Sequence, residues 1–166
     1  MLDIPCGDFH WMKHVSLEGV DYLGADIVRA LIEKNKELEA ANIHFSQLNL
    51  IEDKLPAVDL VFCRDCLVHL SFKDTFLALQ NICNSGSCYL LTTTFPGRQH
   101  NRDIITGQWR SLNLEAAPFY FPPPLKVINE GCTEEDGKFA DKSLGMWRVA
   151  EISECLRRLP RRAETH

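Results

Sequence analysis

Several features are scarce or missing in this chain, and each absence narrows its class. No apolar run approaches the roughly 20 residues of a membrane span. The start, Met1-Leu2-Asp3-Ile4, shows no basic stretch ahead of an apolar one, so no secretory leader is expected. Glycine and proline number 9 and 8 in 166 residues, too few for a fibrous or disordered chain. Positive charge is not in excess. The 18 Lys and Arg face 23 Asp and Glu, a formal net charge of -5, and no nucleic-acid binding through a broad basic face is expected. The 7 cysteines are an odd number, several within strand-like apolar runs, which suits reduced thiols and a cytoplasmic location better than a disulfide framework. There is no internal repeat and no G-x-G-x-x-G, so a pyrophosphate-gripping dinucleotide site is not expected.

What is present is ordinary globular material, 45% apolar and 25% charged. The length suits a single domain, able to bury roughly 70% of its unfolded surface. Up to about residue 95, strand-length apolar runs alternate with helix-period segments, which reads as a βαβα succession and a parallel sheet. The strands are expected at 2–6, 21–25, 43–48, 58–63 and 88–95. A helix is expected over 27–41, with Ile27, Leu31 and Leu38 on its inner face. Ser71 and Asp74 resemble a capping box opening a second helix, which carries Phe72, Phe76, Leu79 and Cys83. Residues 96–124 have no period but are too aromatic for disorder, and a loop this long is usually functional. Segments 125–130 and 144–151 could form a closing antiparallel strand pair, with a charged loop between them. Arg157, Arg158, Arg161 and Arg162 read as a solvated helix end, with a phosphate-binding patch as the alternative.

In an open parallel α/β sheet, ligands bind beyond the carboxyl ends of the strands. The polar residues delivered to that edge are Asp3, Gly7, Asp8, Asp26, Asn49, Arg64, Asp65, His69 and Asn101. Asp26 ends the second strand about 20 residues after a glycine turn, where a carboxylate can accept both ribose hydroxyls of an adenosine group. The alternative is a helix N-cap. With one glycine in the turn, a ligand with an adenosine group and no phosphates fits best. Cys63-x-x-Cys66 with His69 has metal-like spacing. However, Cys63 ends a buried strand and no second ligand pair lies nearby, so a buried thiol is favoured over zinc or a redox pair.

These residues resemble the class I S-adenosylmethionine-dependent methyltransferases. The carriers are Leu2-Asp3-Ile4-Pro5-Cys6-Gly7-Asp8-Phe9, Tyr22-Leu23-Gly24-Ala25-Asp26-Ile27, Asn49-Leu50 with Leu55-Pro56, and the run from Asp59 to Leu70. The resemblance covers nearly all of 2–95, and more loosely 109–114 and 141–145. It implies a Rossmann-like, mostly parallel seven-stranded sheet with helices on both faces and S-adenosyl-L-methionine as cofactor. Asp3 would help hold the cofactor's amino-acid end. Cys6, Gly7 and Asp8 would present backbone beneath the methionine moiety. Asp26 would bind the ribose and Ile27 would pack on the adenine. Asn49 and Leu50 stand where an acidic residue usually bonds the adenine amino group, and Cys63 to Asp65 would line the sulfonium side.

Three departures accompany the resemblance. Pro5 and Phe9 replace glycines of the common first motif. Asn49 replaces an Asp, although its amide oxygen can still accept. Only Met1 precedes the first strand, so the single domain 1–166 is expected to lack the usual N-terminal helical segment, and a bare sheet face there would favour a homo-oligomer. The expected activity is methyl transfer to a small-molecule acceptor, with no membrane partner. His69 would act as base, Asp65 would orient it or touch the cofactor, and Arg64 would bind an anionic acceptor or pair with Asp65. The alternative for His69 is a histidine bonded to backbone at a helix start. Asn101, Trp109, Arg110 and Asn113 would shape the acceptor pocket or simply pack the loop. Two other functions remain open: a non-catalytic, cofactor-impaired module acting through protein interaction, and a nicotinamide-dependent enzyme.

Overall fold

The computed structural model describes residues 1–159. Seven strands form one sheet in the order β3-β2-β1-β4-β5-β7-β6. They are β1 Leu2–Asp3, β2 Tyr22–Asp26, β3 Ile43–Gln47, β4 Leu60–Cys63, β5 Tyr89–Thr94, β6 Lys126–Asn129 and β7 Ser143–Arg148. The first five are parallel, and β7 runs antiparallel between β5 and β6. This is the expected α/β architecture with its antiparallel closing pair. The strand order reverses between β1 and β4, and a crevice opens at such a point.

Strand alternation sorts the core. Leu2, Val61, Cys63 and Leu90 face one side, with Leu79 and Ile82 of α2 (Phe72–Asn84) and Ile152 of α4 (Val149–Arg158). Phe62, Tyr22 and Phe45 face the other side, with Ile32 of α1 (Arg29–Asn35). A one-residue slip would exchange the two sets, so the register is firmly specified. β1 is short because Pro5 has no N–H to give. The ladder steps around it, with Ile4 N donating to Phe62 O at 2.9 Å and Cys6 N to Ala25 O at 2.8 Å.

Three elements differ from expectation. The first helix is α-helical only over Arg29–Asn35 and tightens to a 3₁₀ turn at Lys36–Leu38. Val28 is β-branched and stays extended, and Asp26 holds its amide. The buried face of the helix is Ile32 and Asn35, whereas Ile27 and Leu38 are exposed. The segment 149–151 begins α4 rather than prolonging β7. Val149, Ile152 and Leu156 recur at helical spacing, which the preceding strand pattern concealed. The charged stretch before β7 contains one distorted turn, α3 (Glu134–Gly137), with Glu135 and Asp136 at φ 47° and 54°. Ser71 does cap α2, its hydroxyl accepting from Asp74 N at 3.1 Å, while the Asp74 carboxylate turns to the Thr106 hydroxyl. Arg161 and Arg162 lie outside the described residues. No described helix is long and apolar enough to cross a membrane.

Candidate functional site

The turn after β1 is built on Gly7. Its φ is 57°, and a Cβ there would meet nothing within 4 Å, so its outer side is open. Gly7 N donates to Asp26 Oδ2 at 3.2 Å, and Gly7 O accepts from Asn35 Nδ2 at 2.8 Å. Phe9 also lies at positive φ, 58°, at a cost of about 1–2 kcal/mol. Its ring is buried against Phe45 and Tyr22, 5.1 and 5.3 Å between centroids, and this packing holds the turn without a further glycine. Asp8 is exposed and its carboxylate accepts from His10 N at 3.0 Å. The Cys6 thiol is buried, with its pKa pushed up to about 12 chiefly by desolvation, so Cys6 offers only backbone to a ligand.

Two carboxylates stand beneath this turn. Asp3 is 3% exposed and accepts from the Tyr22 hydroxyl at 2.7 Å. Burial raises its pKa to about 6, against the pull of Tyr22 and Arg64. Asp26 is 5% exposed, with Oδ1 accepting from Val28 N at 2.9 Å and Oδ2 from Gly7 N. Asp26 thus caps the approach to α1 and ties two loops together. Each oxygen keeps a second lone-pair direction.

A cavity of about 310 Å³ lies beside Asp26, at the ends of β1, β2 and β3. Ile4, Pro5, Ile27, Leu48, Leu50 and Ile51 make most of its wall, with Asn49, Cys66, His69 and Thr106 around them. Ile27 is 59% exposed, as a residue that closes on a ligand should be. The Asn49 side chain is engaged in its own turn. Oδ1 accepts from Ile51 N at 2.9 Å, and Nδ2 donates to Glu52 at 3.1 Å. His69 Nδ1 lies 3.0 Å from Gln108 O. A carbonyl oxygen only accepts, so in the neutral ring Nδ1 carries the proton and Nε2 keeps the lone pair.

Beyond β4, Cys63 is fully buried, and its carbonyl accepts from the Thr92 hydroxyl at 2.7 Å. Its thiol pKa is held well above the ordinary value, first by the neighbouring Cys66 thiol and then by burial. Asp65, at φ 51°, has its amide bonded to the Thr93 hydroxyl. Its carboxylate takes the Lys142 ammonium at 2.8 Å and lies 3.4 Å from Arg64. Arg64 Nε donates to Glu130 at 2.7 Å. Burial opposes the Arg64 charge, but Glu130, Asp65 and Asp3 outweigh it and raise its pKa. Among the described residues no hydrogen bond joins Asp65 to His69. Arg64 takes the pairing role expected for it, and Asp65 belongs to the charge network rather than to the histidine.

The loop 96–124 is held mostly by its own polar groups. Asn101 donates to Asn113 O and Ala117 O at 2.8 and 2.7 Å, while Asn113 donates to Arg98 O at 2.8 Å. Arg110 is 1% exposed and donates to the carbonyls of Leu67 and Val68 at 3.1 and 3.2 Å. Burial lowers its pKa to about 10. These three residues support the loop, so only Trp109 keeps a surface for a ligand. Sequence reasoning missed Tyr22, Asn35, Glu130 and Lys142. Asn35 could have been found as a polar residue three positions after Ile32. The other three carry no local signal, because their partners are remote in sequence.

No protein-family model and no curated protein matches the chain. Solved structures do. Human N-acetylserotonin methyltransferase, in complex with S-adenosylmethionine, superposes with TM-score 0.63 and 14% identity over 89% of this chain and 46% of that one. The methyltransferase domain of bacterial CtHen1-C gives TM-score 0.62 and 11% identity over 89% and 87% of the two chains. The fold is the class I methyltransferase fold. The [4+2]-cyclase SpnF matches equally well, with TM-score 0.61 and 15% identity over 89% and 73%, so the same architecture also hosts a cyclase. The chain spans less than half the length of several matched structures, 42%, 47% and 46% of three of them.

Proposed function

We propose that the protein is an S-adenosylmethionine-dependent methyltransferase acting on a small-molecule acceptor. The observation that carries this reading is the convergence of an open Gly7 turn, the Asp26 carboxylate and an apolar cavity of about 310 Å³ at one sheet edge. Those residues fit the cofactor. The cavity takes a flat ring against Ile27 and Leu50, Asp26 keeps lone pairs for ribose hydroxyls, and Asp3 supplies negative charge near the methionine ammonium. When bound, the cofactor supplies a methyl group on a sulfonium. The protein's work is then to align the acceptor and exclude water. His69 offers a free Nε2 lone pair for an acceptor proton, with Gln108 fixing its tautomer.

A second reading is a methyltransferase-fold module that no longer binds the cofactor and acts through protein contacts. It is favoured by Asp26, each of whose oxygens already accepts one backbone amide, so that the carboxylate serves the fold without a ligand. Thermal melting separates the two. With millimolar S-adenosylmethionine and a dissociation constant a hundredfold lower, stability rises by about 2.7 kcal/mol, roughly 5–10 °C. An unshifted melt supports the second reading. A shift with NADH alone would instead indicate a nicotinamide site.

A further inference from the structure

Asp3 and Tyr22 stand on neighbouring parallel strands, and the register explains how they meet. Asp3 of β1 faces Gly24 of β2, so Tyr22 lies two residues, roughly 7 Å, further back along β2. The phenol spans that gap by lying across Gly24. A Cβ at position 24 would stand 3.0 Å from the Tyr22 ring and 2.7 Å from the Phe45 ring, so the glycine keeps the path open. The Tyr22 ring is 1% exposed and packs on Phe9 and Phe45, with centroids 5.3 and 6.0 Å away. This packing fixes the hydroxyl on Asp3 Oδ2.

The hydroxyl is not needed to fill this core. Both other rings of the cluster are phenylalanines, and a third would occupy nearly the same volume. What the hydroxyl adds is a donor to a buried carboxylate. Burial, and then the Asp3 charge, push the Tyr22 pKa up, so the phenol keeps its proton and can only donate to Asp3. Among the described residues no other side chain hydrogen-bonds the Asp3 carboxylate, which leaves Oδ1 for a ligand. The groups that face Asp3 are few. Tyr22 from β2 and Arg64 from the end of β4 favour its charge, and Asp26 from the end of β2 opposes it. The Cys6 thiol in the turn after β1 is neutral. Arg64 is already committed to Glu130 and Asp65, so the Tyr22 hydroxyl is the group that holds Asp3 directly.

We propose that Tyr22 is a positioning residue for cofactor binding, whose hydroxyl keeps the Asp3 carboxylate charged and leaves Oδ1 for the methionine ammonium. The ammonium rests on the methyltransferase reading; the hold of Tyr22 on the Asp3 charge does not. Affinity for the cofactor then falls as Asp3 takes a proton near pH 6. Tyr22→Phe removes one hydrogen bond to a charged group and moves that window upward by about one pH unit.

The experiment has two readouts between about pH 4.5 and about pH 7.5, both made on the wild type and on Tyr22→Phe. The first is calorimetric titration with S-adenosylmethionine. Relative to wild type, Tyr22→Phe is expected to bind roughly threefold or more weakly at about pH 6 and within about twofold at about pH 7.5. The second is the melting point without cofactor. Its decline with rising pH is expected to end near pH 6 in the wild type and to continue about one unit further in Tyr22→Phe. Introduced into Asp3→Asn, the same exchange is expected to leave the pH slope unchanged. An equal loss of affinity at every pH, or an unmoved melting profile, would overturn the proposal. A displaced melting profile with no cofactor binding by the wild type would support the hold on Asp3 and overturn the methyltransferase reading. Cofactor binding with an unmoved profile would overturn the role of Tyr22 and leave that reading standing.

Discussion

At the scale of single residues, two carboxylates decide the account. Asp3 sits in the core side of the turn with one hydroxyl donor, and its pKa rises from 3.8 to about 6. Between those two pH values the folded protein holds a proton that the unfolded chain has lost, so stability falls as pH rises from about 4 to about 6. The shift corresponds to about 3 kcal/mol, missing in full above that window. Asp3→Asn should therefore melt several degrees higher at neutral pH and lose the pH slope between about 4 and 6, while binding S-adenosylmethionine more weakly. Melting curves across that range check it, and a variant with an unchanged slope contradicts it. A buried charge retained at a cost in stability is the pattern of a functional group. Asp26→Ala is expected to weaken the cofactor at least tenfold by titration; unchanged affinity would reduce Asp26 to a tie between loops. Both carboxylates were legible in the sequence, because each ends a strand before a turn. Tyr22, the partner of Asp3, was not, since a hydrogen bond across 19 positions leaves no local pattern.

Elements were readable where one face is buried and the period is clean. α2 forms behind its capping serine, but its buried face is Thr75, Ala78, Leu79 and Ile82, while Phe72, Phe76 and Cys83 of the expected stripe are half-buried. α1 lies where the pattern predicts a helix, but it is shorter and buries a different face. Its apolar residues Ile27 and Leu38 are surface residues, and the polar Asn35 points inward to hold Gly7. The loop 96–124 shows the limit most clearly. Its residue types resembled a binding pocket, yet Arg110 works as an internal strut between the loop and the 3₁₀ turn Leu67–His69. Arg110→Ala removes two charge-assisted hydrogen bonds and leaves a void, a loss of about 3–5 kcal/mol. We expect a melting point lower by roughly 6–20 °C. A drop of under about 2 °C would mean that the loop is held elsewhere.

At the scale of the molecule, composition excluded spans and broad basic faces, and the strand and helix rhythm carried the α/β architecture. The spatial order β3-β2-β1-β4-β5-β7-β6 was not among the expectations, because strand neighbours are not written in local periodicity. The order matters for function. It brings Gly7, Asp26 and the segment 48–51 to one side of β4, and it brings Trp109, Phe139 and Lys142 to the other. The most direct test is a calorimetric titration of S-adenosylmethionine into the protein, run at about 15 and about 30 °C so that a vanishing enthalpy at one temperature cannot hide binding. A single saturable site in the micromolar range is the predicted result; no heat at either temperature with millimolar cofactor would contradict it.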